Sequence, residues 1–127
     1  MKKIVIFIIT LAIVCSYVLV SSCNKDKTKL TTELTCDGLD GSNNTYNLRI
    51  KSILDNNCAT AGCHNAATAS STVILDNYNS SVDALNTKNV LCAINYQSGC
   101  SPMPPTTKLN DTLINYINCW KQSGFPL

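Results

Sequence analysis

The chain has 127 residues, room for one domain, with ten Lys and Arg against eight Asp and Glu and a single His. A formal charge of +2 with no basic cluster argues against a nucleic-acid partner. The 45% hydrophobic content is inflated by the N-terminus, and the remainder of the chain is rich in Asn, Thr and Ser, so the domain has a thin core and needs staples or a cofactor.

Lys2 and Lys3 precede the apolar run Ile4 to Val14, which is followed by the small residues Ser21 and Ser22. Such a run is too short for a membrane span and reads as a secretory signal over residues 1–22. Val20-Ser21-Ser22-Cys23 resembles a bacterial lipobox. The expected chemistry is lipidation of the Cys23 thiol and cleavage before it; an unpaired thiol left exposed at a new N-terminus is a liability. The mature chain then has eight basic and eight acidic residues.

Residues 23–46 read as lipid anchor, tether and irregular lead-in, with Lys25, Lys27 and Lys29 on a solvated linker. Asp37 to Asn44 is turn chemistry and does not match the EF-hand spacing. Tyr46 to Asn57 carries Ile50, Ile53 and Leu54 at helical spacing and runs directly into Cys58. Asn65 to Thr72 is a polar loop. Val73-Ile74-Leu75 is a short apolar run, suited to lie against a cofactor edge or to form a brief strand. Asn77 to Leu85 and Asn86 to Tyr96 are further helices, and Gly99 to Leu109 is a loop. The last helix starts at an Asn110 cap, presents Leu113, Ile114, Ile117 and Trp120 as one stripe, and stops at Gly124 and Pro126.

Chemistry gathers at Cys58-Ala59-Thr60-Ala61-Gly62-Cys63-His64. Two cysteines followed at once by a histidine can hold a c-type haem: each thiol forms a thioether with a vinyl group, and the histidine binds the iron. The usual spacing has two residues between the cysteines, and here there are four. His64 is the sole histidine. Of two methionines, Met1 is the initiator and Met103 stands among Pro102, Pro104 and Pro105. Prolines fix φ and lack an N–H, so this loop is rigid and extended, as a loop presenting a thioether ligand must be. The bland alternatives are a Cys58–Cys63 disulfide beside a surface histidine, and a methionine plug in a proline loop. A structural zinc site wants four ligands in a closed shell and fits less well.

Cysteine arithmetic supports the haem reading. Of eight cysteines, Cys15 leaves with the signal, Cys23 takes lipid, and Cys58 and Cys63 take haem. Cys36, Cys92, Cys100 and Cys119 remain, an even number that reads as two disulfides with three possible pairings. Cys119 lies off the apolar stripe of the last helix, which favours a bond to the lead-in through Cys36. Cys92 and Cys100 would then bracket the entry to the Met103 loop.

Ile50 to His64, the Pro102-Met103-Pro104-Pro105 loop and Leu109 to Gly124 with Trp120 resemble a small c-type cytochrome domain. More narrowly, they are similar to the cytochrome c-like domains of lipoproteins in Bacteroidetes-type bacteria, over residues 47–127. The resemblance implies an all-α cytochrome c-like fold of three to four helices around one covalent haem c. The first and last helices would cross, with the haem in a cleft between them and the methionine loop. It implies Cys58 and Cys63 as thioether sites, His64 as proximal ligand, Met103 as distal ligand and Trp120 as a packing residue near the haem. It also implies an outer-membrane lipoprotein facing the periplasm. Many such domains fix the histidine ring with a proline carbonyl after the Cys-His pair, but residues 65–69 contain no proline, which leaves the partner of His64 open.

The function expected from these readings is one-electron transfer by a monomeric, membrane-tethered cytochrome, with other redox proteins as partners and no bond chemistry of its own. The rival is a disulfide-stapled, lipid-anchored binding module without haem. An enzyme in which Met103 leaves the iron open to peroxide has no nearby base or arginine to support it.

Overall fold

The computed structural model describes residues 35–127, so the signal segment and Cys23 lie outside the described residues. Among the described residues the chain is all helix and loop, with no strand. A π-helical turn, Tyr46–Ile50, runs into α1, Lys51–Asn57. A short 3₁₀ turn, Ser70–Thr72, comes next. Then come α2, Tyr78–Thr87, α3, Val90–Ile94, and α4, Asp111–Gln122. None of these helices is long and apolar enough to cross a membrane.

Side-chain caps mark three of the helix starts. Thr45 accepts from the Leu48 N–H, Asn77 from the Ser80 N–H and Asn110 from the Leu113 N–H. The end of α4 is a Schellman motif: Gly124, at φ 81°, donates to the Lys121 carbonyl, and Phe125 donates to the Trp120 carbonyl. Its hydrophobic contact is a Trp120–Phe125 edge-to-face pair with centroids 4.9 Å apart. The helix expected over residues 86–96 is shorter, because α2 runs on through Thr87 and Lys88 is extended. It closes in a second Schellman motif after Ile94, in which Tyr96 takes the left-handed φ of 56°, with its N–H on the Ala93 carbonyl and the Gln97 N–H on that of Cys92.

The core forms where the π-helical turn meets α4. Ile50, Leu54, Leu85, Ile114, Ile117 and Trp120 are fully buried. Tyr46, Tyr78, Trp120 and Phe125 make an aromatic cluster with ring centroids 4.9–6.0 Å apart. The C-terminal tail closes it. The Pro126 carbonyl accepts from the Tyr46 N–H and from Trp120 Nε1, each at 2.9 Å, and the Phe125 carbonyl accepts from the Tyr78 hydroxyl at 2.7 Å.

Two disulfides, Cys36–Cys119 and Cys92–Cys100, staple the fold. They are the pairings that the helix-face argument favours. The first ties the lead-in to the back of α4, where the Thr35 carbonyl accepts from Asn115 Nδ2 and buried Asn44 donates to the Tyr116 carbonyl, both at 2.9 Å. The second ties α3 to the start of the Met103 loop.

Candidate functional site

α1 delivers Cys58 as its C-cap, where the Cys58 and Ala59 N–H groups both reach the Leu54 carbonyl at 2.8 Å. The chain then folds back on itself, with the Cys63 N–H on the Thr60 carbonyl and the His64 N–H on the Cys58 carbonyl, both 3.0 Å. The bend passes through Gly62 at φ 83°, a conformation that costs an L side chain strain. The four-residue spacing is therefore taken up by a hydrogen-bonded turn that returns His64 to the end of α1. Cys58 and Cys63 are free thiols, the first buried and the second exposed. Burial, with Cys63 beside it, pushes the Cys58 thiol up to about 11.

Three contacts hold His64. Its N–H is on Cys58, its carbonyl accepts from the Leu75 N–H at 2.8 Å, and its ring Nδ1 lies 3.2 Å from the Val73 carbonyl. A carbonyl only accepts, so Nδ1 is the donor of this bond and Nε2 is the ring nitrogen left for a metal. Val73 thus takes the place the absent proline leaves open. The Val73–Leu75 run is extended without pairing, with Val73 and Leu75 on the wall of one cavity and Ile74 on the wall of another, as alternation along an extended chain requires. Asp76 secures its far end by accepting from the Ala66 N–H at 2.5 Å. That bond, and a second from the Asn77 amide, hold the Asp76 carboxyl below the usual carboxylate range. Ahead of Val73, the non-glycine residues Ala69, Ser71 and Thr72 all adopt positive φ, a local strain of order 1–2 kcal/mol each.

Met103 stands on a loop tied three times to α3 and to the turn that ends it. The Cys92–Cys100 bridge holds its start, the Met103 N–H donates to the Ala93 carbonyl at 3.1 Å, and the Tyr96 hydroxyl donates to the Pro104 carbonyl.

Cys58, Cys63, His64 and Met103 all line one open cavity of about 480 Å3, in the range of clefts that hold small molecules and cofactors, about 300–1,000 Å3. Its wall is mainly apolar, including Val73, Leu75, Val90, Ala93 and Ile94, and Lys88 is its one charged side chain. Two thiols, an imidazole Nε2 and a thioether around an apolar cleft are a donor set that fits a covalently held haem. No residue of α4 lines the cavity; Trp120, expected near the cofactor, is fully buried in the aromatic cluster instead. Sequence reading missed the Val73 carbonyl, Asp76 and Lys88, because a backbone acceptor has no side-chain signature and single surface charges carry no pattern. No family model, no curated protein and no solved structure matches this chain.

Proposed function

We propose that this protein is a cytochrome c-like electron carrier, holding one covalent haem c and passing single electrons between redox proteins of the cell envelope. The observation that carries the reading is the convergence of Cys58, Cys63, His64 and Met103 on one apolar cavity, although thirty-nine positions separate His64 from Met103. When bound, such a haem supplies a one-electron iron couple. The chain's residues do the rest. Cys58 and Cys63 anchor the macrocycle through thioethers. His64 offers Nε2, with its ring set by the Val73 carbonyl, and Met103 offers its sulfur from the clamped loop. Met/His ligation raises the potential above that of a bis-imidazole site. Leu75 and Ile94, each 3% exposed, exclude water from the inner wall. With His64 and Met103 both holding the iron, no open site would remain for a substrate, so the reading is of a carrier and not an enzyme.

The lipid anchor at Cys23 belongs to the same proposal, as does an outer-membrane placement facing the periplasm. With balanced charge, long-range steering is weak, and tethering replaces it by raising local concentration. A pyridine haemochrome spectrum of protein exported from cells with c-type maturation machinery tests the reading. The expected result is one covalent haem per chain and, in the absorption spectrum of the folded protein without pyridine, a low-spin thioether-ligated form that Met103→Ala loses. A chain without covalent haem, with Cys58 bonded to Cys63, overturns it in favour of a disulfide-stapled binding module.

A further inference from the structure

Lys88 is the one Lys or Arg among the cavity-lining residues, and no Asp or Glu lines the wall. It caps α2, its N–H on the Ala84 carbonyl, and its extended backbone carries the chain from α2 toward the cavity rim. It also borders a second, polar cavity of about 330 Å3 with Asp83, Asn79 and Ser80. The ion pairs among the described residues are Lys51–Asp55 and Lys108–Asp111, and the Lys121 amine is taken by the Leu85 carbonyl. Lys88 has no ion-pair partner among the described residues, not even Asp83. A cleft with an apolar wall and a single free cation at its rim suits a ligand with an apolar body and an anionic edge. Seating a carboxylate there without a counter-charge would cost desolvation.

We infer that Lys88 is the anion-binding residue of the cavity, taking a carboxylate at the edge of the bound macrocycle, with the neighbouring Asn89 amide beside it. This rests on the haem reading and extends it to the orientation of the group, since only one edge of the macrocycle carries carboxylates. The test is a titration of the full chain, disulfides intact and Cys58 and Cys63 kept as thiols, with ferric protoporphyrin IX and with its dimethyl ester, followed by Soret absorbance. Wild type binds the diacid about three- to fivefold more tightly than the ester, the scale of an ion pair at an exposed lysine. Lys88→Gln loses that preference and leaves ester binding unchanged, while Lys88→Arg keeps it. In the covalently loaded protein, Lys88→Gln lowers the midpoint potential and Lys88→Arg does not, because a nearby cation favours the reduced iron. A full diacid preference in Lys88→Gln, equal weakening of both porphyrins, or no preference in wild type overturns the role of Lys88 alone. Wild type that binds neither porphyrin overturns the haem reading, and the role of Lys88 with it.

Discussion

Replacing Cys92 and Cys100 together by serine separates what holds the fold from what holds the ligand loop. The bridged residues are 8 apart in Cys92–Cys100 and 83 apart in Cys36–Cys119. Loop-closure entropy grows with the logarithm of that separation, so the small bridge stabilises by about 2.5 kcal/mol and the large one by about 4.5 kcal/mol. Without the small bridge, the Met103 loop keeps the Met103–Ala93 and Tyr96–Pro104 hydrogen bonds, each worth about 1 kcal/mol. That is enough to seat the loop at low temperature and too little to hold it on warming. The assay pairs urea melts for stability with thermal melts of haem-loaded protein that follow the sulfur-to-iron charge-transfer band of the ferric form. The Cys92/Cys100 variant should lose about 2–3 kcal/mol and show the band fading well below its melting temperature. The Cys36/Cys119 variant should lose about 4–5 kcal/mol and keep the band until it unfolds. A Cys92/Cys100 variant whose band persists to global unfolding would refute the clamp.

Gly62→Ala meets no atom within 4 Å of the added Cβ, so its cost is the left-handed backbone alone, about 1 kcal/mol by thermal melting, and haem loading should fall with it. In the haem-free chain at pH 8, a Cys58 thiol raised to about 11 is about 0.1% thiolate, against roughly a quarter for an ordinary cysteine. Timed iodoacetamide labelling with peptide mapping should therefore find exposed Cys63 modified first, and equal rates would contradict the burial of Cys58. Asp76, held low by Ala66 and Asn77, and Asp40, held low by Ser42, stabilise the fold fully above the ordinary carboxylate value of about 3.9. That contribution is lost as pH falls through their lower folded values. Melting temperatures measured from pH 6 to pH 3 should drop less steeply in Asp76→Asn than in wild type.

What was legible in the sequence is local. The last helix could be read whole, because its Asn110 cap, its stripe from Leu113 to Trp120 and its Gly124 stop all act within one turn of themselves. The helix running into Cys58 was legible for the same reason, although its first turn is π-helical, and no residue pattern announces that. The helix over residues 86–96 is shorter than its pattern suggests, because the break depends on the backbone of Lys88 and Asn89, residues that helices tolerate. The four residues that share the cavity wall stood out in the sequence by their chemistry and their scarcity, one histidine and one internal methionine. What positions them was not. The Val73 carbonyl, the Asp76 tie to the Ala66 N–H and the tail carbonyls on Tyr46 and Trp120 each pair a residue with a backbone atom that carries no signature of its own.

Core and cavity share a wall. Cys58, Leu75 and Ile94 belong to the buried cluster and also line the cleft, so an apolar occupant would extend a core that the composition leaves thin. Binding and folding then draw on the same side chains, and a ligand that binds only the folded chain stabilises it. Trp120 provides the contrast, since it is fully buried in the same cluster but away from the cleft. Leu75→Ala should lower the stability of the haem-free chain by about 2–4 kcal/mol and also weaken porphyrin uptake. Trp120→Ala should lower stability by about 3–5 kcal/mol and, in whatever fraction stays folded, leave uptake unchanged. Urea melts with parallel Soret titrations measure both quantities on each variant. A Leu75→Ala chain that melts early but takes up porphyrin like wild type would mean that the inner wall is core alone, and that the occupant is held by the ligand loops without it.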